Sequence, residues 1–442
     1  MLQMEYDIKY PSLTSVYDTR YKARIPTRED VIDRSHNPLF TSYEEVYEAE
    51  FPHKKFEPRA IPGKGRGLIA LEDIKKGEMV FKEKATLLFV GEEDDEESNK
   101  DSTFYMARDV YIQKAFCTLD FALQLAQNPN RNAEFEEHVK FITETLRNDP
   151  EVKYEVKKED VLKVVNGIHT NSFSLDFVDG YAVFIACSLA NHSCCENVGW
   201  HTVGDVMYWT ALTDIKKDTE ITLSYTFPSI RPKRIKYFQD NYGFTCDCPM
   251  CRAPHDPWRA FKCSCGGIIF PEPEGFICHT CHVCATEEEI EEFKKEENFM
   301  LEMDKNKRHR RYYNPLRKMH DTHLYMFRAV KKYISMKACA NPLQLFKEYL
   351  IPVSKYQVSF SHGRIYPAML EQYGVTCMKY SRTMPDLLNY LKEEALASFK
   401  TAYEYRCTLG MGVTGYAAAV FKEHIAILNP DNLASFTEYD EF

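Results

Sequence analysis

No apolar run in this chain approaches the roughly eighteen residues that a transmembrane helix needs; stretches such as Tyr181 to Ala190 stop well short. Met1 to Tyr10 carries no secretory signal pattern, so the chain is expected to work inside the cell and without a membrane. Positive charge is in deficit. With 56 Lys and Arg against 66 Asp and Glu the net charge is −10, which argues against a general nucleic-acid binder and leaves room only for a local basic face. Two phosphate-binding signatures are also missing. The segment Pro62-Gly-Lys-Gly-Arg-Gly-Leu68 has neither the Gly-x-Gly-x-x-Gly spacing of a dinucleotide fold nor the Gly-Lys-Ser/Thr ending of a phosphate loop. On its own it reads as a hairpin turn, or as a turn whose backbone amides can approach a ligand closely. What remains is globular: 442 residues, 44% hydrophobic and 28% charged, enough for two to four units at about 150 residues per domain.

Cysteine is distributed unevenly. Of fifteen, eight fall in one stretch as Cys246-x-Cys248-x2-Cys251, Cys263-x-Cys265 and Cys278-x2-Cys281-x2-Cys284. Closely spaced thiols in a reducing compartment suit tetrahedral zinc better than structural disulfides. Cys263, Cys265, Cys278 and Cys281 look like a zinc ribbon, with Gly266 and Gly267 allowing a tight knuckle; Cys284, His279 and His282 stay open as alternative ligands.

The first ~55 residues are aromatic and charged without a lasting period. From Glu57 to Val90, short β-compatible runs are punctuated by Gly63, Gly65, Gly67 and Gly77, and an acidic loop follows from Glu92 to Glu97. Helical spacing then takes over, from Val110 to Ala126 and again through Phe135, Val139, Ile142 and Leu146. Short β segments return from Ser172 to Tyr225. One of them, Ala211-Leu-Thr-Asp-Ile-Lys-Lys217, echoes Ala70-Leu-Glu-Asp-Ile-Lys-Lys76 across the helical insert. Beyond Cys284, an acidic helix carrying Ile290 and Phe293 precedes a basic run, Lys305 to Lys318, with Tyr312 and Tyr313 in it; this run reads as a solvated helix face rather than a nucleic-acid contact. Helical periods continue to about Leu428, so the last third is all-helical.

Five segments occur in a telling order: Asn171-Ser-Phe173, Asn191-His-Ser-Cys194, Ile221-Thr-Leu-Ser-Tyr225, Tyr242-Gly-Phe244 and Cys246-Asp-Cys-Pro-Met-Cys251. Together they resemble a SET-domain protein lysine methyltransferase, and most nearly the SET and MYND family. The resemblance covers Glu57 to Leu428. It implies an α+β fold: an N-terminal arm over 1–56, a split, β-rich SET domain over 57–245 with a helical insert at about 103–170, a cysteine-rich post-SET and zinc-ribbon-like region over 246–286, and an all-α domain resembling tetratricopeptide repeats over 287–442. Two departures stand out. Between Val90 and Asn171 there is only Cys117, so no MYND finger can be built, and the organisation is similar to the apical complex lysine methyltransferase subgroup. Cys195-Glu196 stand where such enzymes commonly carry a small or acidic residue and a proline.

The resemblance also implies roles. Lys64, Gly65, Arg66, Asn171, Asn191, His192, Tyr225 and Phe244 would bind S-adenosylmethionine. Tyr225 would act beside the transferred methyl, and Phe173 and Tyr242 would line the channel that admits a lysine side chain. His169 is expected to be structural. Cys194 would join Cys246, Cys248 and Cys251 in a four-thiolate zinc site, giving two zinc ions with the ribbon. The implied function is methylation of a lysine in a histone or another protein, with the C-terminal helices as a surface for protein partners. A non-catalytic adaptor built on the same scaffold is the alternative.

Overall fold

The computed structural model describes residues 55–91, 101–115, 117–176, 179–226, 228–305, 318–334, 339–357, 365–412 and 416–429. All of the expected arm except Lys55 and Phe56, the acidic run Glu92 to Glu97 and nearly all of the basic run with Tyr312 and Tyr313 lie outside these residues; Phe56 belongs to the first strand and its core. Among the described residues no helix is long and apolar enough to cross a membrane.

Three small sheets enclose the first core. β1 (Phe56–Ile61) and β2 (Gly65–Ala70) form a hairpin whose turn needs positive φ at Gly63 and Gly65, both at 75°, a region glycine enters without steric cost. β10 (Glu220–Leu223) joins β2, and β7 (Asn191–His192) joins β10 in parallel, pairing Thr222 with Asn191. The second sheet orders β3 (Met79–Lys84), β9 (Val206–Ala211) and β8 (Val198–Val203), and the third orders β4 (Leu87–Val90), β6 (Gly180–Val183) and β5 (Ser172–Ser174). Alternation along the strands turns Phe56, Leu68, Phe81, Trp209, Ile221 and Leu223 inward into one cluster. A single carboxylate sits in this core: Glu83 is fully buried and accepts the backbone N–H groups of Ala186 and Cys187, each at 3.0 Å. It thereby anchors the chain just ahead of β7.

The internal echo has a structural meaning. Its two copies face each other across a local twofold: Ile74 and Ile215 exchange both backbone hydrogen bonds at 2.8 Å. Asp73 accepts the Lys217 N–H and Asp214 the Lys76 N–H, both at 2.9 Å. The repeated Asp-Ile-Lys-Lys is a self-complementary clasp that holds the two halves of the sheet core on either side of the insert.

That insert contains α1 (Ser102–Tyr111), α2 (Leu119–Ala122), α3 (Ala133–Arg147) and α4 (Lys158–Asn171). The helical spacing read from Val110 to Ala126 is carried by two helices. α1 is started by the Asp101 cap and ends at Ile112, Gln113 turns left-handed at φ 60°, and Thr118 caps the separate α2. The apolar spacing survived the break because both helices face the same core, which also takes Phe135, Val139, Ile142 and Leu146 from α3. α4 runs straight into β5, so Asn171 and Phe173 sit at a helix-to-strand junction.

After the sheets come α5 (Arg231–Tyr242), stopped by Gly243 at φ 72°, then α6 (Pro249–Arg252) and a three-stranded ribbon of β11 (Phe261–Lys262), β12 (Ile268–Glu272) and β13 (Gly275–Cys278). The helical part follows as α7 (Glu287–Lys305), α8 (Leu324–Ile334), α9 (Pro342–Leu345), α10 (Ile351–Gln357), α11 (Ile365–Ser381), α12 (Leu388–Thr408) and α13 (Tyr416–Ala426). It returns to the sheet core at Gly410. Gly410, at φ 79°, meets β9 so closely that a Cβ there would lie 2.5 Å from Thr210 and 2.9 Å from the Gly77 carbonyl, and Leu409 and Met411 pack with Leu212.

α11 and α12 are joined by a buried, two-pronged ion pair, in which Arg406 donates to both Glu371 oxygens at 2.8 and 2.9 Å. Replacing Arg406 by Met would leave a buried carboxylate without its partner. Arg406→Met is expected to lower the unfolding free energy by about 3–5 kcal/mol, read as a fall in the urea midpoint of the last transition.

Candidate active site and metal centres

A cavity of about 810 Å³ opens where the sheets, α4, α5 and the C-terminal helices meet. Pro62 to Lys64 and Asn191 form one end of its wall, Phe173, Trp200, Tyr225, Tyr242 and Phe244 supply an aromatic lining, and Ile365, Leu409 and Met411 close it from the helical part. The size lies within the range of sites that enclose a cofactor-sized ligand.

The end near Asn191 is built by close backbone approach. The Asn191 amide donates to the Arg66 carbonyl on β2 at 2.9 Å and to Glu220 on β10 at 2.8 Å. Glycine is required opposite it, since a Cβ on Gly67 would sit 2.7 Å from the Asn191 amide nitrogen and 3.0 Å from Glu220. Lys64 donates to the second Glu220 oxygen at 3.0 Å; burial opposes its charge, yet the bond and charge of Glu220 outweigh this and raise its pKa. Arg66 reaches the site through its carbonyl, and Asn171 spends its amide protons on the Ala126 and Gly167 carbonyls. Gly65 shapes the turn beside the wall rather than lining it.

At the aromatic end, the Tyr225 hydroxyl donates to the Ala190 carbonyl at 2.6 Å. Burial, with the nearby Glu220 charge, pushes its pKa well above the usual tyrosine value, so the group stays a hydroxyl; burial acts the same way on Tyr242. The Tyr225 and Tyr242 rings lie 4.9 Å apart, and Phe173 packs edge-on to Trp200 at 5.3 Å. His169 is held outside this wall, against Phe135 and Arg131.

His192 ties the aromatic end to a thiol cluster. Its Nδ1 accepts the Tyr225 N–H at 3.0 Å, which puts the ring proton on Nε2, 3.2 Å from the Cys194 sulfur. Burial drives its pKa down to about 3. Cys194, Cys246, Cys248 and Cys251 bring their sulfurs within 4.8 Å of one another, and so do Cys263, Cys265, Cys278 and Cys281. The separations of 3.9 and 3.5 Å in the first set and 3.7 and 3.6 Å in the second match the ~3.8 Å edge of a tetrahedron built on zinc–sulfur bonds of about 2.3 Å, and are far too long for disulfides. Both donor sets therefore fit zinc. In the second, Gly267 donates to the Cys265 sulfur at 3.3 Å and Thr280 to the Cys278 sulfur at 3.4 Å, while Cys284 pairs through its backbone with Ile277 and stands outside the four.

Residues 65–226 match the SET domain family. Over 126 residues the chain is 31% identical to histone-lysine N-methyltransferase ASHR1 of Arabidopsis thaliana, covering 25% of this chain and 26% of that protein. It is 37% identical to protein-lysine N-trimethyltransferase SMYD5 of Mus musculus, covering 18% of this chain and 20% of that one. The chain thus spans a fifth to a quarter of the length of these curated relatives. Among solved structures, the SET domain of LSMT bound to lysine and AdoHcy aligns at 12% identity over 89% of this chain and 91% of that chain, with a TM-score of 0.34.

Sequence reasoning missed Gly67, Glu220 and Trp200. Gly67 was visible as the third glycine of the turn; nothing in the local sequence marks Glu220 or Trp200, whose roles come from strand pairing. Asn197, just past Cys195-Glu196, takes over some of the loop's anchoring: it donates to the Glu220 carbonyl and accepts the Thr222 N–H, both at 2.8 Å.

If the two thiol sets bind metal independently, the cobalt-substituted Cys194→Ser variant should lose about half of the sulfur-to-cobalt charge-transfer absorption, with the ribbon site unaffected.

Proposed function

We propose that this chain is an S-adenosylmethionine-dependent protein-lysine N-methyltransferase, acting on a lysine of a histone or another protein. The observation that carries the reading is one continuous cavity lined both by the Gly63–Lys64 turn with Asn191 and by the buried Tyr225, whose hydroxyl donates to the carbonyl of Ala190, next to Asn191. The methyl donor, when bound, supplies a methyl group on a sulfonium, which passes to a neutral amine by in-line displacement. In this reading Lys64, Gly65, Arg66, Asn171, Asn191, His192 and Phe244 hold the donor, partly through backbone groups. Phe173, Tyr225 and Tyr242 strip water from an entering lysine side chain, which lowers its pKa and favours the free amine. Tyr225, kept protonated, orients that nitrogen and does not act as a base.

The wider organisation follows the same reading. We infer a SET and MYND type of arrangement without the MYND finger, similar to the apical complex lysine methyltransferase subgroup, with the domain limits drawn from the sequence. The antiparallel α11 and α12 support a tetratricopeptide-like surface for protein partners. Glu196 and Asp247 at the cavity wall, with the net charge of −10, suit a basic lysine-bearing segment steered from solution.

Calorimetric titration of S-adenosylmethionine tests the donor site: the zinc-replete wild type should bind it, and Asn191→Ala should not. Tyr225→Phe should still bind the donor yet transfer radiolabelled methyl to a histone mixture or lysine peptides about 100-fold more slowly. No donor binding by folded, zinc-loaded wild type overturns the proposal, and unchanged transfer by Tyr225→Phe overturns the role of Tyr225.

A further inference from the structure

Beside the ribbon lies a third group of metal-ligating side chains that the methyl-transfer site does not use. His255, in the loop between α6 and β11, Glu272, at the end of β12, and His279, just after β13, bring one ligand atom each within 4.8 Å of one another. They are partly exposed, so an ion can reach them from solvent.

Their arrangement is organised by one aromatic ring. Phe270 on β12 is buried, and both imidazoles pack on it, His255 at 4.5 Å and His279 at 4.9 Å between ring centroids. The two imidazoles are perpendicular, 4.7 Å apart, and both direct a nitrogen at the same Glu272 oxygen. Hydrogen bonding accounts for only half of this. His279 Nε2 lies 2.6 Å from the carboxylate, whereas His255 Nδ1 stands 3.6 Å away, beyond a hydrogen bond. A zinc ion with bonds of about 2.0–2.2 Å to nitrogen and oxygen sets neighbouring ligands about 3.3 Å apart, between these two values. Two imidazoles and one carboxylate are also a donor set that zinc accepts with a fourth, solvent position.

We propose that His255, Glu272 and His279 form a third divalent-metal site of the zinc class, distinct from the two four-thiol sets. Its ligands join two parts of the chain. His279 belongs to the ribbon knuckle, and His255 belongs to a loop whose Asp256 accepts the N–H groups of Arg231 and Trp258. Trp258 and Arg234 line the 810 Å³ cavity, and Arg234 pairs with the same Asp256 at 3.5 Å. An ion at this site pins the cavity's outer wall to the ribbon.

The test counts metal on the full-length chain. Equilibrium dialysis against buffered zinc, followed by elemental analysis, should give three ions per wild-type chain at saturation, and two for His255→Ala and for Glu272→Gln. Cobalt substitution should show unchanged thiolate charge-transfer bands in both variants, establishing that the sulfur sites are intact. Raising free zinc from the level that fills the sulfur sites should raise the melting temperature of the wild type only. Two ions in the wild type, or a third that persists in both variants, overturns the proposal.

Discussion

Four consecutive residues impose the constraint on which the site depends. From Asn191 to Cys194 each residue is tied to a different part of the chain: Asn191 to β2, His192 to the backbone of Tyr225, Ser193 by its N–H to the Leu223 carbonyl, and Cys194 to the sulfurs of the post-SET segment. The parallel pairing of β7 with β10 is only two residues long, too short to hold these directions by itself. The segment is fixed instead from both sides, by Gly67 giving Asn191 room and by the thiol cluster taking up Cys194. Glu83 fixes its approach from behind, offering two acceptors to the turn that leads in.

This arrangement makes the four-thiol cluster and Tyr225 parts of one mechanical unit. The His192 ring lies between them with its tautomer set by the Tyr225 N–H, and Phe238 packs against it, tilted, at 4.1 Å. Removing the cluster would free both the Cys246–Cys251 segment that follows Tyr242 and Phe244 and the partner of the His192 ring proton. A metal held by these four thiols would couple assembly of the aromatic lining to metal binding.

Much of this was legible in the sequence because the chemistry concentrates in short segments. The cysteine spacing pointed to the ribbon set and to three members of the other, Cys194 came from the family resemblance, and the order of the five motifs pointed to the surface around the cavity. What the sequence concealed was long-range. The Asp-Ile-Lys-Lys echo stood out as a repeat, but its reciprocal hydrogen bonding could not be inferred from either copy. Glu220 is an ordinary strand residue until β2 and β7 are brought to either side of β10. The break between α1 and α2 was hidden because apolar spacing reports which face is buried and not whether the backbone is continuous. His255, Glu272 and His279 are far apart in spacing and join only through the ribbon's register.

The contact of Gly410 with Gly77 and Thr210 has a consequence for how the protein comes into being. Leu409 and Met411, which complete the cavity wall, are among the last described residues of the chain, while the turn at Gly63 is among the first. A ribosome-bound chain can form the sheet core and the insert, but its cavity stays open on one side until the C-terminal helices emerge and dock. Substrate access is therefore closed off last, and a nascent or prematurely ended chain carries the motifs of the site without the enclosure that makes them work together.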